Sequence, residues 1–317
     1  MKDINRTNAG GSWPVMITPF NEDKSIDWVS LDRLTEWYIN AGSAGLFSVC
    51  QSSEMYNLND EERLEIASRV LKKVDGRVPV IATGTFTHDI SQQAEFIKKM
   101  YDTGVDAVVC LVNHLAEEND SEEVLKSNTE ELLNKTRNIP LGLYECPAPF
   151  NRKLETETVA WTAKTERFFW MKETTENIKI VRAKTEVCKG TNLSLYNAHT
   201  ASLLESLNSG TIGFSGIAAN FYPSLFSWMV ENFDKEKETA EELNKFFVEY
   251  QKVVDYKYVS SAKQYLKMIG IIENATTRRP ELIFDAQEME GLKRLGAEAN
   301  KWCEKLGLPI LGDLQIR

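Results

Sequence analysis

Short runs of apolar residues recur along the chain, each followed by a longer stretch in which apolar positions return every three or four residues. The runs are WPVMIT (13 to 18), GLFSV (45 to 49), VPVIAT (78 to 83), AVVCLV (107 to 112), PLGLY (140 to 144), RFFWMK (167 to 172), LSLY (193 to 196) and TIGFSG (211 to 216). Runs of this length bounded by turn-prone residues predict strands covered on both faces, and the stretches between them predict amphipathic helices. A spacing of about 30 residues is the length of a strand, a helix and two loops. Eight such units predict an α/β chain folded as a (β/α)8 TIM barrel.

Helix signals support the pattern. Asn59 precedes Asp60, Glu61 and Glu62 and predicts the cap of a helix through Leu64, Ile66, Ala67, Val70 and Leu71, stopped at Gly76. In SQQAEFIKKMYDTG, Ala94, Ile97 and Met100 mark the apolar face and Gly104 the stop. From about Leu225 to Leu306 the pattern is helical only, more than an eighth unit needs. The expected division is an N-terminal segment 1–12, a barrel 13–235 and a C-terminal helical extension 236–317 packed on it, with no Pro, Gly or Ser-rich linker. An open doubly wound sheet shares the alternation, but TPFNEDKS stands where a dinucleotide fold carries GxGxxG.

Composition narrows the class. A chain of 317 residues, 42% hydrophobic, can bury a large core, and a net charge of -10 argues against nucleic acid as a partner. Cys50, Cys110, Cys146, Cys188 and Cys303 are odd in number and lack CxxC spacing, which predicts free thiols and a cytoplasmic address. MKDINRTNAGGSWPV has no apolar core and no run of eighteen apolar residues occurs, so neither a secretion signal nor a membrane span is expected.

In a barrel, chemistry sits at the C-terminal ends of the strands. CQSSE (50 to 54) follows the second run, YECP (144 to 147) the fifth and KETT (172 to 175) the sixth; Thr18, Thr83, Thr85, Asn113, His114, Asn197, His199 and Ser215 follow others. A lysine closing FFWMK either reaches solvent along its stem or sits in a dry pocket where its neutral amine is accessible. With an ordinary pKa of about 10.4, roughly one amine in 2,500 is neutral at pH 7, and reaching 7 or 8 takes about 4 kcal/mol of desolvation. Lys172 beside Tyr144 then points to amine attack on a ketone, with the phenol moving protons. An iminium formed with a 2-oxo acid is an electron sink, and the acid's carboxylate needs donors such as Ser52, Ser53 and the amides of their turn.

Other features read more plainly. Glu54 and Glu145 suit helix-cap or solvated carboxylates better than an acid-base pair. His114 and His199 are candidates for substrate contacts but suit ordinary rim positions at least as well, and Glu117 to Glu123 suits a solvated loop and helix start. Cys110 and His114 lie across a strand end with no second pair, so no metal is expected; no GxSxG is present, and no cofactor is called for.

At CQSSE, YECP and KETT together, the chain resembles the dihydrodipicolinate synthase and N-acetylneuraminate lyase superfamily of class I, lysine-dependent aldolases. The likeness runs from about Trp13 to Pro223 and includes PVMITPF, GVDAV and GFSGIAAN. It implies a Schiff-base role for Lys172, a proton-relay role for Tyr144 and places for Thr174 and Ser52 in the site; with Gln51, Ser53, Asn197 and Ser215 at the strand ends, these make up the expected substrate-binding set. The chain also departs from the family. Gln51 replaces the first hydroxyl of the carboxylate-binding turn, which in the family links the relay tyrosine to a second tyrosine from a neighbouring subunit. The stretch matching that second tyrosine reads Asn113, His114, Leu115. The synthase's arginine falls at Pro149, and the polyol-binding positions of sialate lyases are Ala198, His199 and Thr200. The resemblance implies an aldolase or dehydratase acting on pyruvate or a related 2-oxo acid, distinct from the synthase, and a homo-oligomer, dimer or tetramer. The alternative is a non-catalytic 2-oxo acid binding protein of the same fold.

Overall fold

The computed structural model describes residues 10–316, so most of the expected N-terminal segment lies outside the described residues. The strands are β1 (Gly11–Ser12), β2 (Leu46–Val49), β3 (Val80–Thr83), β4 (Ala107–Leu111), β5 (Leu141–Tyr144), β6 (Phe168–Glu173), β7 (Ser194–Asn197) and β8 (Gly213–Phe214). Around them run α1 (Trp28–Asn40), α2 (Asp60–Val74), α3 (Ile90–Asp102), α4 (Val112–Leu115), α5 (Glu122–Thr136), α6 (Thr156–Lys164), α7 (Ile178–Cys188), α8 (Leu203–Asn208) and α9 (Pro223–Asn232). The extension adds α10 (Lys237–Asp255), α11 (Ser260–Met268) and α12 (Ala286–Lys305).

Every strand pair is parallel, in the order β1-β8-β7-β6-β5-β4-β3-β2. A parallel bridge between Val15 and Phe47 closes the ring, with Met16 N donating to Phe47 O at 2.9 Å and Phe47 N to Pro14 O at 3.0 Å. This is the TIM barrel that the eight apolar runs predict. At the other seam, pairing starts at Gly11, two residues before the first run, because two glycines let the backbones meet closely. A Cβ on Gly213 would lie 2.1 Å from Gly11 O.

Aromatic rings fill the barrel axis. Trp13 packs against Trp170 (centroids 6.1 Å apart) and Tyr196 (5.5 Å), and Trp170 against Phe47 (5.3 Å) and Tyr196 (5.4 Å). A plug of this size keeps water from entering below the strand ends. Asn59 caps α2 as expected, in a reciprocal box with Glu62. Ser121 caps α5, putting Glu122 and Glu123 in its first turn. Phe214 of β8 stacks on Phe226 at 4.1 Å, and Phe226 on Phe247 at 4.4 Å, so the extension shares the barrel's apolar core. No helix among the described residues is long and apolar enough to cross a membrane.

Candidate active site

Strand register brings Tyr144 and Lys172 together: they are partners across β5 and β6, and Lys172 pairs with Tyr196 on the other side. Lys172 is 4% exposed, and its Nζ stands 4.6 Å from the centre of the Tyr144 ring. Three lysines are buried among the described residues. Lys184 is paired with Glu145 and Glu173, and Lys263 with Glu54, whereas the Lys172 ammonium has neither an ion pair nor a hydrogen bond among the described residues. Burial therefore lowers its pKa to about 8. The thiols of Cys50 and Cys146 lie near it, but burial pushes both upward, so at neutral pH they supply no counter-charge. The shift corresponds to on the order of 3 kcal/mol and makes about one amine in ten neutral at pH 7. As the period of two requires, the lysine's wall comes from other strands: Tyr144 from β5, Phe47 behind it at 6.0 Å on β2, and the two cysteines.

The same alternation sends the next residue on each strand outward. Glu145 and Glu173 meet Lys184 of α7, whose Nζ lies 2.6 Å from Glu145 Oε1 and 3.2 Å from Glu173 Oε1. Glu145 also accepts from Leu154 N at 2.9 Å and Thr174 N at 3.0 Å. Burial holds the Glu145 carboxyl above its ordinary range, with the nearby Lys184 ammonium opposing the push. This buried cluster ties together the ends of the two strands that carry Tyr144 and Lys172. Glu145 is thus neither a cap nor a solvated carboxylate, and the reason is the ammonium waiting on α7.

Glu54 departs from expectation in the same way. It follows the turn of Gln51, Ser52 and Ser53 and is buried against Lys263 Nζ of α11 at 2.6 Å, while Arg278 N (2.8 Å) and Arg279 N (3.1 Å) donate to its other oxygen. Arg279 also donates to Gln51 O at 2.9 Å. The C-terminal extension therefore holds this turn from behind. Within the turn, Gln51 Oε1 accepts from Tyr144 OH at 3.3 Å, and Ser52 Oγ accepts from Tyr258 OH at 2.7 Å. Ser53 Oγ faces Met16 O (2.7 Å) and Ser48 O (2.9 Å) and accepts from Cys50 N (3.1 Å), so it braces the turn.

The remaining sequence candidates spread around the mouth. Thr174 donates to Glu145 O (2.9 Å), Ser215 to Trp13 O (2.9 Å) and Asn197 to Ser202 Oγ (3.0 Å). His114 is stacked between Tyr56 and His88, with ring centres 6.0 and 5.0 Å away, and burial lowers its pKa to about 4. His199 lies 3.1 Å from Glu176 and 3.3 Å from Thr174 O. Asn113 holds the loop after β5 by donating to the carbonyls of Cys146, Ala148 and Phe150. All five cysteines are buried free thiols, and no group of three or more His, Cys, Asp or Glu among the described residues is placed to hold a metal. Sequence reasoning missed Tyr258, Asn220, Lys184 and Lys263.

A lone desolvated lysine beside a tyrosine at the C-terminal mouth of a barrel is the arrangement of a class I aldolase-type enzyme. The model of the dihydrodipicolinate synthetase family matches residues 8–298, and the chain belongs to that family. A 4-hydroxy-tetrahydrodipicolinate synthase of Methanococcus maripaludis is 30% identical over 234 residues, 72% of this chain and 78% of that protein. One from Cellvibrio japonicus is 28% identical over 221 residues, 70% and 74% of the two chains. Such relatives are lyases of the class I aldolase type, and this chain is an enzyme of that type. The fold agrees with solved structures. One described as the first monomeric dihydrodipicolinate synthase variant superimposes with a TM-score of 0.85 at 19% identity, over 98% of this chain and 100% of that one. A chloride-inhibited dihydrodipicolinate synthase from Acinetobacter baumannii complexed with pyruvate gives 0.83 at 22% identity, over 92% and 98%.

Proposed function

We propose that the protein condenses Lys172 with the keto group of pyruvate or a related 2-oxo acid and makes or breaks a bond to the carbon next to it, as an aldolase or dehydratase other than the dihydrodipicolinate-forming synthase. The observation that carries this reading is that Lys172 is the buried lysine without a carboxylate. The Nζ lone pair adds to C2, water leaves carrying the former keto oxygen, and the iminium draws electrons from C3 when a C3 proton or substituent departs. Tyr144 stands beside the amine, and burial keeps its phenol protonated, so it can give a proton to the departing oxygen and regain one from C3. Ser52 and the turn amides are the donors assigned to the carboxylate. Pro149 in place of the synthase's arginine, and Gln51 in place of its first hydroxyl, favour a partner substrate other than the semialdehyde. A cytoplasmic homodimer or homotetramer goes with this reading.

Exchange of the pyruvate methyl protons in D2O, followed by NMR, tests the proposal without knowledge of the second substrate. Wild type is expected to exchange them, whereas a non-catalytic binder leaves them intact. Tyr144→Phe should still form the borohydride-trappable adduct but exchange about 10²-fold more slowly. Because only the neutral amine attacks, the rate of adduct formation should rise tenfold per pH unit up to about pH 8 and then level off. A rise that continues to pH 10 would mean an ordinary, solvated lysine.

A further inference from the structure

Tyr258 lies between α10 and α11, outside every strand-end motif, yet its hydroxyl stands at the turn that carries Ser52. The direction in which it donates is fixed by backbone atoms. Asn220, in the short helical turn after β8, has its Nδ2 3.0 Å from Val15 O and 3.2 Å from Ile217 O. Carbonyls only accept, so the amide NH2 faces them and Oδ1 is left to accept from Tyr38 OH. The same Nδ2 lies 2.9 Å from the Tyr258 oxygen. A phenol that accepts there must send its own hydrogen elsewhere, and Ser52 Oγ is the acceptor at 2.7 Å. Ser52 is then donated to, and its own hydrogen meets no acceptor among the described residues, although the side chain is 4% exposed. Burial pushes the Tyr258 phenol upward, so it keeps its hydrogen.

We propose that Tyr258 is a positioning residue: by donating to Ser52 Oγ it commits the Ser52 hydrogen to a carboxylate oxygen of the bound acid, so that this chain's own C-terminal extension completes its anion seat. The proposal rests on the 2-oxo acid reading above. A hydroxyl that accepts a hydrogen bond becomes a better donor, and donation to a carboxylate is among the stronger hydrogen bonds. Arg279, bound to Gln51 O on the same turn, adds positive potential behind it. Tyr258 is also near enough to Tyr144 to add to the upward push on its phenol.

Tyr258→Phe keeps the ring and leaves no orphan, since Asn220 Nδ2 retains Val15 O and Ile217 O. Three probes separate the roles. The pyruvate concentration for half-maximal borohydride trapping should rise roughly tenfold, with the maximal trapping rate within about twofold of wild type. Lactate, a carboxylate without a keto group, should weaken by a similar factor in calorimetric titration. Hydroxyacetone, a ketone without a carboxylate, should be trapped equally by both proteins, and adding Tyr258→Phe to Ser52→Ala should cost nothing more. Unchanged pyruvate and lactate affinities, an equal loss for hydroxyacetone, or no lactate binding by wild type would overturn the proposal. If wild-type Lys172 resists trapping, the Schiff-base reading falls, and the lactate titration alone decides the role of Tyr258.

Discussion

Replacing Lys172 with alanine is expected to lower the exchange of pyruvate methyl protons by on the order of 10³-fold or more, with the fold intact. The size follows from the mechanism: without the amine no iminium forms, and the remaining groups can polarise a ketone but not hold its electrons. Folding should survive because Lys172 has no ion pair to break, and removing an unpaired ammonium from a dry site relieves a desolvation cost. Circular dichroism and a melting curve beside the NMR assay check both halves. Exchange within tenfold of wild type would show that another group performs the chemistry.

The second large effect concerns stability. Lys184→Met leaves the carboxyl groups of Glu145 and Glu173 buried without their ammonium, and breaking a buried pair by removing one partner costs about 3–5 kcal/mol. The melting temperature should fall by on the order of 10 °C. The deficit has a pH dependence of known sign. Burial already raises Glu145 above its unfolded value, and without Lys184 it rises further, so the folded state binds protons more readily than the unfolded chain. Stability of the variant should therefore recover as pH falls from 7 towards the unfolded carboxylate value of about 4.3. Denaturant unfolding at pH 5 and pH 7 measures this. Combining Glu145→Gln with Lys184→Met should be milder than Lys184→Met alone, since one buried charge goes with its partner. A Lys184→Met protein as stable as wild type would mean that the cluster does not hold β5 and β6 together.

These two lysines also show what the sequence could reveal. The eight apolar runs mark the strands because parallel barrel strands are covered on both faces, and the residues after them mark the mouth. Lys172 and Tyr144 were legible for that reason: each closes a run and shares a face with its register partner. Period-two alternation also puts Glu145 and Glu173 on the opposite face, but nothing near them in the chain names their partner. Lys184 lies 39 residues from Glu145, in a helix whose pattern looks ordinary. The separations are larger still for the C-terminal contributions, 209 residues between Lys263 and Glu54 and 206 between Tyr258 and Ser52. A helical extension after the eighth strand reads from sequence as packing alone. Its work at the Gln51 to Glu54 turn arises from where the chain returns in space, which hydrophobic periodicity does not encode.

The central claim is that Lys172 presents a neutral amine to a keto group inside the barrel mouth. Incubation with pyruvate and borohydride, followed by proteolysis and mass spectrometry, tests it most directly. The account predicts a reduced pyruvate adduct on the peptide that contains Lys172, and none on Lys172→Ala. An unmodified Lys172 peptide, or an adduct carried by Lys263 or a surface lysine instead, would contradict it.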